Sequence, residues 1–435
     1  MVNGPPESEL KSERTITAVT LSEELQWRGF VHQSTYKDIK LLDGDPITFY
    51  WGVDPSADSM QVGNLAIAMM VRHFIDHGHK AILLVGGATG MIGDPDGKAQ
   101  ERDLKSLDEI AKNKTAISEQ YQTVFAGQSF EIVDNYDWFK GLGYLDFLRD
   151  VGKHMPMSQM LQREFVQTRL GEEGTGISYA EFSYALIQGY DFLHLFRDKG
   201  VTLQVCGSDQ WGNCIAGVEL IRRIDGGEAN VWSAPLVINK TTGVKFGKTE
   251  GGAVWLDPKK TSVYQFYQFW FNVDDEGVAD YLKIYTLLSK DDIINTVHQQ
   301  KENPGARPAQ RALAYEVTKL VHGVEAADSV VRATSAMFGS QADLRGLSPE
   351  DWQVVGDALP VIEASPNGLL MELLVKGKLA SSNTEARRFL TDSAVYINNE
   401  QFSSDKFTLE QADFINGYVL LRRGKNQQVL LRLSQ

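Results

Sequence analysis

Short apolar runs alternate with helical stretches from residue 47 onward, and this alternation constrains the fold of the 435-residue chain more than any other feature. Four runs have the length and composition of buried strands: 47–53, 81–87, 201–207 and 234–238. A helical segment, 63–77, lies between the first two runs and ends at Gly78. Strands separated by helices predict a Rossmann-like, doubly wound parallel sheet of the α/β class, whose ligands bind at the carboxyl ends of the strands.

The pattern changes twice further along the chain and predicts several folded units. After Trp255 glycines become scarce, and helical patterns dominate to about residue 338. A polar stretch with proline and glycine follows near 360–368, and two short helices and several strands are predicted after it. The predicted organisation is a flexible tail at 1–15, an α/β domain at 16–254, a helical domain at 255–350, a linker at 351–368 and a small α+β domain at 369–435.

Charge and cysteine content exclude several classes of protein. The net charge of −14 argues against a chain coated for nonspecific nucleic-acid binding, although a local basic face would still attract a polyanion. The N-terminus lacks the apolar stretch of a signal peptide, and no apolar run approaches the ~18 residues of a membrane span. Cys206 and Cys214 match no zinc spacing and predict buried thiols in a reducing compartment. We therefore expect a cytoplasmic protein with no membrane partner and no metal ligands of its own.

The first polar cluster, 54–64, lies between a predicted strand and a predicted helix. Its small and polar residues would let a phosphate approach the helix N-terminus, where free amides and the helix dipole favour negative charge. Gln61 and Asn64 are three residues apart, so both side-chain amides could face one ligand. An ordinary capped loop is the alternative that this spacing leaves open.

A glycine-rich segment, 85–102, follows the next predicted strand. Its glycines allow the backbone to approach a ligand closely. Asp94 ends the turn, and Lys98 and Arg102 follow at i, i+4 spacing, where they would form a cationic edge. A surface loop with solvated charges would have the same spacing.

The segment from Ser178 to Glu181 has the pattern of a capping box and predicts the start of a helix. Along that helix Tyr184, Gln188 and Asp191 fall on one face. A hydroxyl, an amide and a carboxylate would then form one polar wall of a pocket. The alternative is that these three side chains face water.

Two further loops complete the set of candidate sites. The segment 207–213 again follows a predicted strand and could bind a sugar or an amino group. Lys245, Lys248 and Thr249 lie in a short basic loop with a glycine hinge, where mobile lysines could stabilise phosphates in a transition state. Taken singly, each segment is equally compatible with an ordinary turn or surface loop.

In this order, these segments resemble the tyrosyl-tRNA synthetase family, class I aminoacyl-tRNA synthetases of the bacterial type. The resemblance extends from about Leu21 to the C-terminus. It is carried by the runs LVGGATGMIGDPDGK, NYDWF, FLRDVGKH, EFSYALIQGYDF, GSDQWGN, KFGKTEGGAVWLDPKKTS and YQFYQFW. The run LLVKGKLASSNTEARRFLTDSAVYINNE looks like the small RNA-binding domain (S-four type) shared with a ribosomal small-subunit protein.

The resemblance implies a two-step reaction. L-Tyrosine and ATP would give tyrosyl-adenylate and pyrophosphate, and the tyrosyl group would then move to the 3′ end of tRNA(Tyr). Tyr50 and Asp191 would bind the substrate phenol, and a buried pair of this kind would also explain rejection of phenylalanine. The ammonium and carboxylate of the amino acid would be held by Asp94, Tyr184, Gln188 and Gln210.

The resemblance also implies the residues that act on ATP, which is expected with Mg²⁺ as a substrate rather than as a bound cofactor. Lys245, Lys248 and Thr249 match the mobile signature loop that stabilises the leaving pyrophosphate. Lys98 and Arg102 match a second cationic pair on the other side of the phosphates. The remaining catalytic and ATP-binding positions are Gln61, Asn64, Gly52, Asp54, Gly63 and Asp209, of which Asp209 would contact the ribose.

The implied assembly involves a second subunit and an RNA. The segment 135–160, within an insertion near 120–160, would form the interface of a homodimer, so that each tRNA would span both subunits. The helical domain at 255–350 would bind the anticodon. The C-terminal domain would bind RNA through its basic residues: Arg387, Arg388, Arg422, Arg423 and Lys425.

Two residues depart from the family's pattern. Gln61 stands where the first signature usually has histidine, and its amide can donate a hydrogen bond to phosphate but carries no charge. Trp51 stands where a small residue usually contacts the ribose, so its indole would either crowd the nucleotide or stack beside it. These changes leave open a catalytically impaired paralogue that acts as an RNA-binding protein. The related tryptophan enzyme is disfavoured, because Asp191 suits a phenol better than an indole.

Overall fold

The computed structural model describes residues 19–95, 105–171, 174–249, 252–338, 344–402, 407–424 and 427–434. Within these ranges the side chains at 164–165 and 248–249 are not described. The predicted tail at 1–15 lies outside the described residues. No helix in the described part of the chain is long and apolar enough to cross a membrane.

The first unit is a sheet flanked by helices. Its strands are β1 (Gln33–Ser34), β2 (Thr48–Val53), β3 (Lys80–Val85), β4 (Phe130–Asp134), β5 (Val201–Gly207) and β6 (Asn230–Ala234). Its helices are α1 (Leu21–Arg28), α2 (Val62–Asp76), α3 (Thr89–Ile92), α4 (Leu107–Val124), α5 (Tyr136–Phe139), α6 (Tyr144–Asp150), α7 (Met157–Leu161), α8 (Glu164–Leu170), α9 (Tyr179–Lys199) and α10 (Trp211–Asp225).

The sheet has the order β1-β6-β5-β2-β3-β4, and all neighbouring pairs are parallel except β1 with β6. Alternate strand residues face two different cores. Phe49 and Leu83 pack with α2 and α4, whereas Tyr50 and Ile82 pack with α9 and α10. Burial on both faces accounts for the nearly continuous apolar sequence of β3. The predicted Rossmann-like α/β fold is therefore confirmed.

One strand is predicted in the wrong place. The run 234–238 was expected to form a strand, but the strand is β6, at 230–234. Pro235 has no N–H to donate, so the ladder with β5 ends at Ala234. Leu236 and Ile238, which would have been strand residues, are exposed.

The chain leaves the sheet after β4 and returns to it through α9. Helices α5 to α8 lie between these two elements. The predicted insertion near 120–160 therefore begins too early, because α4 and β4 continue the sheet unit to residue 134.

The second unit is mainly helical, as predicted for the residues after 255. A two-stranded hairpin of β7 (Lys248–Thr249) and β8 (Gly252–Ala253) precedes it. Its helices are α11 (Val263–Phe271), α12 (Val278–Tyr285), α13 (Lys290–Glu302), α14 (Pro308–His322), α15 (Val324–Phe338) and α16 (Pro349–Ala358). One apolar core continues from the sheet into these helices. The buried Arg28 of α1 adds a polar tie, since it donates hydrogen bonds to the carbonyls of Lys283 and Thr286.

The third unit is the predicted small α+β domain. Its helices and strands are β9 (Val361–Ala364), α17 (Leu370–Lys376), α18 (Asn383–Thr391), β10 (Val395–Ile397), β11 (Glu400–Gln401), β12 (Tyr418–Arg423) and β13 (Gln427–Leu433). Within the described residues the strands form a sheet of five in the order β11-β10-β12-β13-β9. Three of the four pairs are antiparallel, and β9 is parallel to β13.

The predicted linker at 351–368 is wrong, because most of these residues are part of folded elements. Ser348 and Asp351 cap the start of α16, and Trp352 of this helix is fully buried. Strand β9 then pairs with β13, about 70 residues further along the chain. Pro360 immediately precedes β9, where its missing N–H costs no ladder hydrogen bond.

Candidate active site

A cavity of about 360 Å³ lies at the carboxyl ends of β2 and β5, where a parallel sheet of this kind binds its ligands. Its volume falls in the range of about 300–1,000 Å³ that is usual for small-molecule sites. Most of the residues predicted from the sequence line it: Tyr50, Gly52, Asp54, Gln61, Gly63, Asn64, Asp94, Tyr184, Gln188, Asp191, Asp209, Gln210 and Lys245. Lys98 and Arg102 lie outside the described residues, as do the side chains of Lys248 and Thr249.

The deep end of the cavity is buried and holds unpaired polar atoms. Tyr50 and Asp191 are almost completely buried, and the Tyr50 ring packs edge-on against Phe192 at 5.3 Å. Among the residues that the structure describes, neither the Tyr50 hydroxyl nor the side-chain carbonyl oxygen of Gln188 has a hydrogen-bond partner. Buried polar atoms of this kind are costly unless something satisfies them. A ligand with a polar group at this depth would do so.

Two residues that sequence analysis did not assign to the site hold Asp191 in place. Asn135 donates to one carboxylate oxygen at 3.0 Å, and the indole N–H of Trp138 donates to the other at 2.9 Å. Asn135 is fully buried and also donates to the hydroxyl of Thr89. Both residues belong to the run NYDWF, directly after β4. Their position at a strand end was the available signal, but the run was assigned to the dimer interface.

Burial raises the pKa of Asp191 to about 8, although its hydrogen bonds to Asn135 and Trp138 act in the opposite direction. Between the ordinary value of 3.8 and pH 8 the folded protein therefore holds a proton that the unfolded chain releases. The contribution of Asp191 to stability should therefore fall as the pH rises from about 4 to about 8. Above pH 8 this contribution should no longer change.

We therefore expect Asp191→Asn to gain stability relative to the unmodified protein from pH 5 to pH 8. The slope for one proton is about 1.4 kcal/mol per pH unit. Thermal unfolding of both proteins at several pH values measures the difference. A difference that does not change with pH, or that changes in the opposite direction, would show that Asp191 is already ionised at pH 5.

Helix α9 carries three of the lining residues, and its first turn is held by a buried ion pair. The Ser178 hydroxyl accepts a hydrogen bond from the Glu181 N–H, so the predicted helix start is confirmed. The Glu181 carboxylate is directed to Arg169 at 2.9 Å, and both of these side chains are buried. Removing either charge would leave the other unpaired in the interior, so this pair fixes where α9 begins.

Midway along the cavity, carboxylates and amides form a hydrogen-bonded group. The Tyr184 hydroxyl donates to Asp54 at 2.7 Å, and the Thr89 hydroxyl donates to the other oxygen of Asp54 at 2.6 Å. Asp94 accepts a hydrogen bond from the side-chain amide of Gln210. These side chains therefore provide acceptor oxygens that suit a bound ammonium group.

The N-terminus of α2 faces the cavity through Gln61, Gly63 and Asn64. The side-chain carbonyl oxygen of Asn64 accepts a hydrogen bond from the Gln61 backbone N–H at 3.0 Å. The Val62 N–H donates to the Val254 carbonyl, so the helix start is tied to the segment that follows the signature loop. The positive end of the helix dipole at this point favours a phosphate.

The mouth of the cavity carries Lys245, which forms an ion pair with Asp209 at 3.3 Å. Both side chains are partly exposed, so this pair contributes little to stability. Lys245 is the only lysine or arginine among the described lining residues. Asp54, Asp94, Asp191 and Asp209 make the rest of the lining acidic. A polyphosphate would therefore need Lys245 and the further cations predicted at 98, 102 and 248.

Similarity to known proteins shows the family of the chain. A family model described as tRNA synthetases class I (W and Y) matches residues 42–339, and one described as the tyrosine--tRNA ligase SYY-like C-terminal domain matches 352–431. A tyrosine--tRNA ligase from Bacillus caldotenax is 44% identical over 420 residues, which cover 94% of this chain and 99% of the relative. The chain belongs to the tyrosyl-tRNA synthetase family. A further relative, from Bacteroides fragilis (strain YCH46), is 42% identical over 424 residues, which cover 94% of this chain and 98% of that one.

Solved structures show the same relationship. A C-terminally truncated mitochondrial tyrosyl-tRNA synthetase from Aspergillus nidulans matches with a TM-score of 0.65 and 31% identity, over 72% of this chain and 92% of that one. A tryptophanyl-tRNA synthetase from Encephalitozoon cuniculi matches with a TM-score of 0.52 at 12% identity, over 77% of this chain and 91% of that one, and shares only the fold. The resemblance inferred from the sequence is confirmed for the family and its fold class.

Trp51, which departs from the pattern of tyrosyl-tRNA synthetases, is held by the core. Its indole is buried and lies 5.6 Å from the Tyr121 ring and 6.4 Å from the Phe125 ring, both at the end of α4. It also borders the cavity. The indole is therefore a fixed wall of the site, which restricts how a nucleotide can lie against β2.

The predicted RNA-binding arginines of the C-terminal unit differ in their surroundings. Arg387 and Arg388 are exposed on α18. Arg423 lies over the Phe389 ring at 4.6 Å, and Arg422 lies over the Tyr396 ring at 3.9 Å. Arginines held over aromatic rings present their guanidinium groups in fixed orientations, which suits contact with phosphates or bases. Lys425 lies outside the described residues.

Proposed function

We propose that this member of the tyrosyl-tRNA synthetase family activates L-tyrosine with ATP and transfers it to tRNA(Tyr). The observation that carries the proposal is the buried pair of Tyr50 and Asp191 at the bottom of a cavity whose mouth holds Lys245. A phenol at the bottom would satisfy the Tyr50 hydroxyl and lie beside the Asp191 carboxyl. The amino acid would then point its carboxylate toward the mouth, where ATP enters.

The amino-acid end of the substrate would be held by the middle of the cavity. Tyr184, Gln188 and Asp94 would receive the ammonium group, and Gln210 would lie near the carboxylate. The hydrogen bonds that already join Tyr184 to Asp54 and Gln210 to Asp94 support this division, because they keep these side chains in fixed positions before substrate arrives.

The first step needs no general base, because the tyrosine carboxylate is already a nucleophile. Its oxygen attacks the α-phosphorus of ATP, a new P–O bond forms, and the bond to the pyrophosphate oxygen breaks. Catalysis then consists of positioning the two substrates and stabilising the charge that develops on pyrophosphate. The residues that would act on ATP are Lys245, Lys248, Thr249, Lys98, Arg102, Gln61, Asn64, Gly52, Gly63, Asp54 and Asp209.

Mg²⁺ is part of this proposal as a companion of ATP. Among the residues that the structure describes, no three His, Cys, Asp or Glu side chains lie close enough together to hold a metal ion. We expect the ligands of this Mg²⁺ ion to be mainly phosphate oxygens and water, which is the usual preference of the ion in nucleotide sites. When bound, the ion would neutralise phosphate charge.

In the second step the tyrosyl group would pass from the adenylate to the 3′ end of tRNA(Tyr). A ribose hydroxyl oxygen at the 3′ end attacks the tyrosyl carbonyl carbon, an ester forms, the bond between this carbon and the AMP oxygen breaks, and AMP leaves. The helical domain would bind the anticodon, and the C-terminal domain would bind RNA through Arg387, Arg388, Arg422, Arg423 and Lys425. The fixed orientation of Arg422 and Arg423 supports a contact of this kind.

The experiment that tests the function is tyrosine-dependent exchange of pyrophosphate into ATP, with phenylalanine and tryptophan as controls. We expect exchange with tyrosine alone. This outcome would also show that Gln61 and Trp51 are compatible with activation. A folded protein that binds tRNA but exchanges pyrophosphate with none of the three amino acids would favour the RNA-binding paralogue.

We also propose a homodimer formed by the segment that follows β4. Several large apolar side chains of this segment are exposed: Tyr136, Tyr144, Leu145, Met157, Leu161, Leu170 and Tyr179. Exposed large apolar residues concentrated in one segment of the chain support an interface there. We propose separately that the protein is cytoplasmic. The free, buried thiols of Cys206 and Cys214 support this location.

Leu145→Asp should convert the dimer into a monomer, because it places a charge in the proposed interface. Leu145 is 77% exposed in the single chain. Leu41→Asp is the matched control. Leu41 is 61% exposed and lies between β1 and β2, outside the proposed interface segment. Light scattering at micromolar concentration gives the mass. A monomeric unmodified protein, or a Leu145→Asp variant that stays dimeric, would contradict the proposal.

A further inference from the structure

The signature loop starts from a hairpin that runs from Val237 to Phe246. The Phe246 N–H donates to the Val237 carbonyl, and the Asn239 N–H donates to the Val244 carbonyl. Ile238 and Lys245 form the bridge between the two limbs. Successive side chains of an extended limb point in opposite directions. Lys245 and Phe246 therefore point to opposite sides of the limb, and both residues border the cavity. A displacement of the limb would move both of them.

Phe246 faces the helical unit and inserts into a set of aromatic rings that we call the aromatic socket. The socket consists of Phe269, Trp270, Tyr281 and Tyr285. Phe246 is buried, and its ring stacks on Tyr281 with centroids 4.3 Å apart and an angle of 29° between the planes. The other three ring centroids lie between 5.1 and 5.7 Å away. Phe246 is therefore packed as a core residue of the helical unit.

Other contacts of the hairpin with α12 are weaker. Lys240 and Asp280 form an ion pair at 2.6 Å, but both side chains are more than 40% exposed, so it contributes little. The Tyr281 hydroxyl donates to the Ile238 carbonyl at 3.4 Å, a long hydrogen bond. The apolar contact of Phe246 is thus the principal connection between the hairpin and the helical unit.

On its other side the loop is fastened to the start of α2. Gly247 has a φ of +86°, and a Cβ at this position would lie 3.1 Å from the Cβ of Val62. The Gly247 carbonyl accepts a hydrogen bond from the Val254 N–H, and the Val254 carbonyl accepts one from the Val62 N–H. Phe246 and Gly247 together place the loop between the aromatic socket and α2, whose N-terminus faces the cavity.

We propose that Phe246 is a positioning residue for the activation step: by inserting into the aromatic socket it sets the position of Lys245 at the mouth of the cavity. The inference rests on the proposed role of Lys245 in stabilising pyrophosphate. The inference also adds that the packing of α11 and α12 affects the rate of tyrosine activation. Rearrangement of these helices when RNA binds would then be transmitted to the loop.

Phe246→Ala should lower the rate constant of tyrosine-dependent pyrophosphate exchange about 10-fold, since even small displacements of a catalytic group are costly. The affinity for tyrosine, measured without ATP by equilibrium dialysis, should not change, because Tyr50 packs in the core of α9 and α10 whereas Phe246 packs in a different core. Phe246→Leu, which keeps an apolar side chain in the socket, should recover most of the rate.

A double variant separates positioning from a general loss of order. If Phe246 acts through Lys245, then Phe246→Ala should have less than a 2-fold effect in a Lys245→Ala background. Leu374→Ala is the control for a general loss of stability, because Leu374 is a fully buried residue of α17 in the separate core of the C-terminal unit. It should lower the melting temperature and leave the exchange rate of the folded protein unchanged.

Two results would overturn the proposal. One is a folded Phe246→Ala variant with the exchange rate of the unmodified protein. The other is an effect that multiplies fully with that of Lys245→Ala. Failure of the underlying function would be recognised separately, because the unmodified protein would then show no tyrosine-dependent exchange at all.

Discussion

Replacing Lys245 by alanine is expected to lower the rate of tyrosine-dependent pyrophosphate exchange by about 10²–10³-fold, the usual effect of removing one group that stabilises developing charge. Lys245 is the only cation among the described lining residues, in a cavity that also contains four aspartates. Without it the negative charge on the leaving pyrophosphate has fewer partners. Binding of tyrosine at the deep end should be unaffected, so the loss should appear in kcat and not in tyrosine affinity.

The matched control for this variant is Lys240→Ala. Lys240 lies at the tip of the same hairpin, is 49% exposed against 47% for Lys245, and pairs with Asp280 instead of lining the cavity. Its removal should change the rate less than 2-fold. Equal losses of exchange rate in the two variants would mean that the overall charge of the hairpin matters. No loss of rate in either variant would show that Lys245 does not take part in catalysis.

The second large effect is expected at the deep end of the cavity. Tyr50→Phe combined with Asp191→Asn should reduce the preference for tyrosine over phenylalanine, as a ratio of kcat/KM values, by on the order of 10²–10³-fold. One neutral hydrogen bond contributes about 0.5–1.5 kcal/mol, and one to a charged group about 1.5–3 kcal/mol, which applies to Asp191 when the assay is run above pH 8, where this carboxyl is ionised. The double variant removes one of each. It also removes the buried Tyr50 hydroxyl that bound phenylalanine leaves unpaired, so the phenylalanine reaction should be no slower than in the unmodified protein.

Tyr121→Phe tests whether this effect is specific. Tyr121 is also fully buried, and its hydroxyl donates to the Leu84 carbonyl at 3.3 Å, outside the lining of the cavity. It should lose some stability and keep its preference for tyrosine. Parallel losses for tyrosine and phenylalanine in the Tyr50 and Asp191 variants would indicate damage to the fold and would contradict a phenol-binding role.

The strands whose apolar character is local were predictable from the sequence. The run 201–207 forms β5 with the predicted bounds, and 47–53 and 81–87 each lie within two residues of β2 and β3. The folded structure of 351–368, which was predicted to be a linker, was not predictable from local sequence. Whether this segment forms a strand depends on β13, about 70 residues away, and no local pattern reports a partner at that distance.

The lining of the site was largely predictable, because loops that follow parallel strands converge at one edge of the sheet. The partners of Asp191 were not. Asn135 follows β4 and Asp191 lies in the middle of α9, so only the folded arrangement brings the two side chains together. The specific roles of Tyr50, Asp94 and Lys245 came from the family resemblance, since spacing alone was equally compatible with ordinary loops.

The order of the strands has a consequence for the nascent protein. β2 lies between β3 and β5, but β5 follows only after the segment 86–200 has been made. At a synthesis rate of about 5–20 residues per second, β2 waits on the order of ten seconds with one edge unpaired. An unpaired apolar edge is prone to pair with other chains. This interval is therefore when we expect the emerging polypeptide to be most prone to strand pairing with its neighbours.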